Sequence, residues 1–255
     1  MTVSLAHRVD GPDSAPVVVL GPSLGTTWEM WDSLASTLST THRVVRYDTR
    51  GHGRSPVPEG PYDVPGLASD VLTLLDSLDV ERFALVGLSL GGAIGQTLAL
   101  TQPSRLTSAV LCCTVPWFGG PEPWGERAAR VRAKGMSSIA EASKGRWFTD
   151  EFRSSSPDEV DRHIAMLTSI DPVGYASCCE ALGRFDVRES LPEVTVPVRV
   201  IAGGHDPVAL PDACEEMAVA IPGADLVVLA DTSHIATVAG EPFERAVTEH
   251  LERHL

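Results

Sequence analysis

The chain has 255 residues, 43% of them hydrophobic and 21% charged, a balance that builds a folded core and excludes an intrinsically disordered chain. Its formal charge of −14, from 20 basic against 34 acidic residues, leaves no basic patch for nucleic-acid phosphates. No stretch reaches the roughly 18 to 20 uninterrupted apolar residues of a membrane helix, and the opening MTVSLAHRVDG lacks the apolar centre of a signal peptide, so a cytoplasmic protein off the membrane is expected. The length allows one α/β domain with an insertion. The five cysteines are odd in number and include two adjacent pairs, Cys112/Cys113 and Cys178/Cys179. They read as buried small hydrophobes, not as a disulfide framework.

Strand-like runs rich in Val and Leu, bounded by Gly or Pro, occur at Val17 to Leu20, Arg43 to Tyr47, Phe83 to Val86, Leu106 to Cys112, Val198 to Ala202 and Leu226 to Leu229. Several are continuously apolar, the pattern of strands covered on both faces, which predicts a mostly parallel central sheet. Between them, Leu67 to Leu78 sets Leu67, Val71, Leu74, Leu75 and Leu78 on one helical face and turns Asp70, Asp76 and Ser77 elsewhere. Leu90 to Thr101 is rich in small residues, as suits a helix packed close to a sheet, and Pro103 marks its end. From Gly119 to Glu189 the pattern becomes amphipathic helices without a strand, opened by the Pro/Gly-rich Pro116 to Gly125. Strand and helix alternate again from Val198, and Phe243 to His254 ends the chain as a helix. The expected architecture is an α/β fold with helices on both faces, a core over 1–118 and 190–255, and an inserted helical cap over 119–189.

The most specific local signal is Gly87-Leu88-Ser89-Leu90-Gly91-Gly92, directly after a strand and directly before a helix. That context is the nucleophile elbow, in which the serine sits on a sharp strained turn and flanking glycines avoid collision. A base and an acid should follow in the order Ser, Asp, His, each after a later strand. His234 lies beyond the strand ending at Leu229, and Asp206 beyond the strand ending at Ala202. Asp231 and Asp186 are rival acids. His52 precedes the elbow and His205 abuts the acid position, so both read as bystanders. For the oxyanion, one donor should be the Leu90 N–H and the other the Leu24 N–H, from the loop Gly21-Pro22-Ser23-Leu24-Gly25-Thr26. The glycine-rich turn from Asp48 to Ser55 is given a structural role. No metal-ligand spacing, Rossmann fingerprint or P-loop occurs, so no cofactor and no metal is expected.

These residues resemble the α/β-hydrolase superfamily over essentially the whole chain, and within it the 3-oxoadipate enol-lactonases of aromatic catabolism. The similar stretches are Ser23-Leu24-Gly25-Thr26, Met30-Trp31-Asp32, Arg46 to Gly53 and the elbow. More specific are Gly145-Arg146-Trp147-Phe148-Thr149, the run Asp171 to Cys179 with its Gly-Tyr-Ala-x-Cys-Cys pattern, and Ile201 to Pro207. Pro22 departs from the family, which commonly carries Asn there.

The resemblance implies an unsaturated lactone with a carboxylate side chain as substrate, opened through an acyl-enzyme on Ser89 with His234 as base and Asp206 as its orienting acid. An anionic substrate needs a local exception to the overall charge. The segment 119–189 supplies it, with 10 basic against 12 acidic residues, a net of −2, against −12 for the remainder. Among Arg127, Arg130, Arg132, Lys134, Lys144, Arg146 and Arg153, the choice falls on Arg146, with Trp147 and Trp124 as pocket walls. Other readings are an esterase, perhydrolase or carbon-carbon bond hydrolase of the same fold, or a non-catalytic ligand receptor on the same scaffold.

Overall fold

The computed structural model describes residues 2–255. Seven strands, β1 (His7–Asp10), β2 (Val17–Gly21), β3 (Arg43–Tyr47), β4 (Phe83–Leu88), β5 (Leu106–Cys112), β6 (Val198–Gly203) and β7 (Asp225–Leu229), form one sheet in the order β1-β3-β2-β4-β5-β6-β7. All neighbours are parallel except β1, which runs antiparallel to β3. Every apolar run read as a strand is one, and β4 and β5 are buried almost throughout because helices cover both faces. β1 escaped the reading because His-Arg-Val-Asp is neither apolar nor alternating, as befits a short half-exposed edge strand.

The helices are α1 (Asp32–Leu38), α2 (Val64–Ser77), α3 (Leu90–Thr101), α4 (Pro121–Lys134), α5 (Ala140–Trp147), α6 (Asp150–Ser155), α7 (Pro157–Ser169), α8 (Pro172–Arg184), α9 (Pro211–Ala220) and α10 (Glu241–His254). α1 packs on α10, where Trp31 and Phe243 stack with ring centroids 6.2 Å apart, while α2 packs on α3 and α9 on β6 and β7. Asp63 caps α2, its side chain accepting from the Gly66 N–H, and Pro65 sits in the first turn, where its missing N–H costs nothing.

Between β5 and β6 the chain makes a helical excursion, α4 to α8, with α4 lying along α8. It leaves and returns through one neck, where Trp117 and Asp186 form an isolated antiparallel bridge and the Val187 N–H donates to the Pro116 carbonyl. The excursion rests on loops at the carboxyl ends of the strands. A β-carbon on Gly25, after β2, would lie 2.5 Å from Leu167 and 3.1 Å from Tyr175. Beyond β7, the Ser233 hydroxyl donates to the Arg146 carbonyl and the Ile235 N–H to that of Trp147.

One helical assignment differs from the sequence pattern. Asp70 does not face solvent on α2: it is buried, and both its carboxylate oxygens accept from the Arg50 guanidinium at 2.6 and 2.7 Å. Its Oδ1 also accepts the Val3 N–H at 2.9 Å. Amphipathic spacing places a side chain around the helix axis but carries no information about a cation arriving from a distant loop. Breaking such a pair by removing one partner costs about 3–5 kcal/mol. Asp70→Ala should lower the unfolding free energy by that order, read as a shift of the urea midpoint at unchanged slope.

Candidate active site

Ser89 follows β4 directly and precedes α3, with φ 56° and ψ −109°, a left-handed conformation that a residue with a side chain adopts only when its surroundings impose it. The surroundings are backbone. A β-carbon on Gly87 would lie 2.3 Å from the Gly91 carbonyl oxygen, and one on Gly91 would lie 2.1 Å from that of Gly21. Only glycine permits this approach. The Ser89 N–H donates to the Cys112 carbonyl at 2.9 Å and its own carbonyl accepts from the Thr114 hydroxyl at 2.9 Å, which ties the turn to the end of β5.

Asp206 and His234, 28 residues apart, meet beyond β6 and β7. His234 Nδ1 donates to Asp206 Oδ2 at 2.8 Å, and both residues are at most 3% exposed. Asp206 Oδ1 accepts the backbone N–H groups of Val208 and Ala209 at 2.7 and 3.1 Å. With three donors on the carboxylate, the acceptor demand of a buried charge is met. The bond fixes the proton of His234 on Nδ1 and leaves the Nε2 lone pair for a substrate-side proton. The structure thus joins the expected acid to the expected histidine and sets Ser89 on the same carboxyl edge of the sheet; a direct hydrogen bond from Ser89 to His234 is not formed. Such contacts are often long before substrate binds. Of the rivals, His205 and Asp231 are exposed and Asp186 pairs with Arg188 at the surface.

Leu90 opens α3, so its N–H has no acceptor within the helix. In the facing loop the Ser23 N–H points at Met30 Sδ and the Gly25 N–H at His52 Nε2, while the Leu24 N–H between them donates to no group among the described residues. The Gly91 N–H donates to the Pro22 carbonyl at 3.1 Å, stitching this loop to the helix after the nucleophile. Pro22 keeps that carbonyl, and a proline lacks only the N–H.

Beside the Asp206 loop, against Pro207 and Val208, opens a cavity of about 330 Å³ walled by Trp124, Arg127, Arg130 and Arg146, with Glu126 as its one carboxylate. Burial, then the charge of Arg127 and, more weakly, that of Arg130, pushes the Arg146 guanidinium below its usual range. No carboxylate pairs with any of the three arginines among the described residues, and Arg127, whose buried Nε is unpartnered, stands over the rings of Trp124 and Tyr175 at 5.8 and 5.5 Å. Trp147 is buried, with its ring 3.6 Å from the position of a β-carbon on Gly25, so it sits over the loop carrying Leu24, not in this cavity. A larger cavity, about 730 Å³, lies between β7 and α10 and borders neither Ser89 nor the arginines. All five cysteines are free and buried, and no cluster of three or more His, Cys, Asp or Glu fit for a metal occurs among the described residues.

The profile of the alpha/beta hydrolase fold family matches residues 16–240. The chain belongs to the α/β-hydrolase family. Within it, this α/β-hydrolase is 37% identical over 252 residues to 3-oxoadipate enol-lactonase 2 of Acinetobacter baylyi, covering 98% of the chain and 94% of that protein. It superposes on the crystal structure of the enol-lactonase from Burkholderia xenovorans LB400 with a TM-score of 0.95, at 41% identity over 97% of this chain and 96% of that one. A thermophilic esterase from Thermogutta terrifontis gives a TM-score of 0.92 at 28% identity over 98% and 94%. The sequence resemblance to the enol-lactonases and the mostly parallel sheet are both borne out.

His52 is the residue that sequence reasoning passed over. It reads as a bystander because it precedes the elbow, yet the structure brings it against the loop after β2; its place in a Gly-His-Gly turn at the carboxyl end of β3 is the one signal that could have flagged it. The His234–Asp206 bond also has a direct signature. The Nδ1 proton held between imidazole and carboxylate should resonate far downfield of the amide protons in the proton NMR spectrum. Asp206→Asn should remove that resonance while leaving circular dichroism unchanged.

Proposed function

We propose that the protein hydrolyses the enol-lactone of 3-oxoadipate to 3-oxoadipate through an acyl-enzyme on Ser89. The observation that carries this reading is the proximity, along one loop, of Asp206, buried in its pair with His234, and of Pro207 and Val208, which border a cavity where Arg127, Arg130 and Arg146 outnumber the one carboxylate, Glu126. The first suits acyl transfer and the second suits a substrate that carries a carboxylate. The names of the relatives from A. baylyi and B. xenovorans point the same way.

In the proposed sequence, Ser89 Oγ attacks the ring carbonyl carbon and passes its proton to His234 Nε2, whose imidazolium Asp206 stabilises. The Leu24 and Leu90 N–H groups stabilise the negative oxygen of the tetrahedral intermediate. Collapse breaks the bond between acyl carbon and ring oxygen, and the imidazolium returns a proton to the departing enol. Tautomerisation of that enol to a ketone removes the nucleophile that could close the ring again, so the step is effectively irreversible. Water, deprotonated by His234, then attacks the acyl-enzyme and releases the diacid and the Ser89 hydroxyl.

A protein of charge −14 repels an anionic substrate on average. Arg127, Arg130 and Arg146 reverse the field locally, and their guanidinium groups suit a carboxylate held through two parallel hydrogen bonds. Trp124, its Nε1 donating to the Phe118 carbonyl at 2.7 Å, forms the apolar wall of that cavity. We assign residues 119–189 as a cap domain on the core 1–118 and 190–255. The support is the single neck and the seating of the helices over the loops after β2 and β7. Among the described residues no helix is long and apolar enough to cross a membrane.

Loss of the conjugated chromophore of freshly prepared enol-lactone should be catalysed by the wild-type protein and abolished by Ser89→Ala in a folded sample. Turnover of aryl acetates with no action on the enol-lactone would replace the substrate assignment with a general esterase. Arg127→Ala and Arg146→Ala should each raise KM for the anionic lactone about 10- to 100-fold, the loss of a charged hydrogen bond of about 1.5–3 kcal/mol. KM for neutral aryl esters should stay within about twofold, and an equal rise for both substrates would refute a carboxylate site.

A further inference from the structure

His52 takes no part in the proton transfers, yet it is 1% exposed and both ring nitrogens are engaged. Nδ1 lies 3.3 Å from the Arg50 carbonyl oxygen, to which it can only donate, and Nε2 lies 3.0 Å from the Gly25 nitrogen, from which it can only accept. The two contacts select one neutral tautomer. Burial pushes the imidazole down to about 4, so the accepting lone pair persists at neutral pH.

The bond it accepts falls on a sensitive peptide. The Thr26 N–H donates to the Ser23 carbonyl at 3.2 Å, closing a four-residue turn with Leu24 and Gly25 at its centre. Gly25 has φ +83° and Leu24 does not adopt a positive φ, the combination of a type II turn. Types I and II differ by a flip of the central peptide, here the one joining Leu24 to Gly25. In the observed state its N–H faces Nε2. After a flip its carbonyl oxygen would face that lone pair and be repelled.

We propose that His52 is a positioning residue for the oxyanion hole, accepting the Gly25 N–H to hold the turn that aims the Leu24 N–H at the reacting carbonyl. This rests on the reading of Leu24 as an oxyanion donor. What holds His52 in turn is α8. A β-carbon on Gly51 would lie 2.6 Å from the Gly174 α-carbon, so turn and helix touch backbone to backbone. The Tyr175 ring sits 6.3 Å from that of His52, and Cys178 Sγ donates to the Arg50 carbonyl at 3.6 Å, beside the Nδ1 contact. The Gly-Tyr-Ala-Ser-Cys-Cys run at 174–179, which general hydrolase chemistry does not require, thereby acquires a role, walling the histidine that sets the oxyanion loop.

The test uses the full chain with wild type, Ser89→Ala, His52→Ala, His52→Gln and His52→Asn, assayed on 4-nitrophenyl acetate. Removal of an oxyanion donor costs roughly a hundred- to thousandfold in kcat; a donor left in place but unaimed should cost less, about 10- to 100-fold, with KM within about twofold. His52→Gln, whose side-chain carbonyl can reach the Gly25 N–H, should recover most of kcat, and the shorter His52→Asn should not. With benzyl trifluoromethyl ketone carrying carbon-13 at the carbonyl, the hemiketal on Ser89 should lose its proton at higher pH in His52→Ala than in wild type. Wild-type kcat in a folded His52→Ala, or an unmoved hemiketal titration, would overturn the assignment. If His52→Ala does not fold, equal kcat for the Gln and Asn variants does so. Activity surviving in Ser89→Ala would instead sink the serine-hydrolase reading beneath it.

Discussion

The site depends on one steric constraint, the backbone contact between the end of β2 and the start of α3. Gly21 and Gly91 approach so closely that no β-carbon fits on Gly91, and the Gly91 N–H donates to the Pro22 carbonyl across the same gap. The contact fixes two things together. It forces Ser89 into a left-handed conformation that lifts its side chain off the end of β4, and it locks the loop after β2 to the helix that begins with Leu90. The serine and the two amides proposed to serve it are therefore tied to one backbone contact, and the strain at Ser89 is offset by the packing of the buried central strands β4 and β5.

Electrostatics at the site follow from selective compensation of buried charge. Asp206 sits in an interior that would otherwise penalise its ionised form, and three N–H donors meet that cost. Arg127, Arg130 and Arg146 form no ion pair among the described residues, although Glu126 lines the same cavity. Several arginines elsewhere are paired, Arg50 with Asp70, Arg199 with Asp225, and Arg46 with Asp10 and Asp32, whereas Arg43 and Arg184 donate to the backbone carbonyls of Leu78 and Tyr62. The cavity arginines are the ones proposed above to meet the substrate carboxylate.

Legibility in the sequence followed the range of the forces involved. The central strands β2, β4 and β5 could be read because burial on both faces leaves a continuous apolar run, and the elbow because Gly87 answers a backbone clash within five residues. Asp206 and His234 could be read because a parallel sheet collects its loops at one edge, so chain order and placement after a strand suffice. β1 and the short α1 and α9 drew no notice, since edge strands and brief helices carry little pattern. The pairing of Asp70 with Arg50 and the contact of His52 with Gly25 could not be read for another reason: each joins groups 20 or more residues apart through contacts that no local period encodes.

By itself the sequence determined the class of fold, the glycine frame around Ser89, and the placement of Asp206 and His234 after successive strands, because these are set by backbone sterics and by apolar periodicity. Tertiary structure alone decided that Asp206 and His234 touch, that three arginines share one cavity, and that His52 reaches Gly25. Those are matters of side-chain direction and of ångström-scale distance between elements remote in the chain, which depend on how every layer of the core has packed.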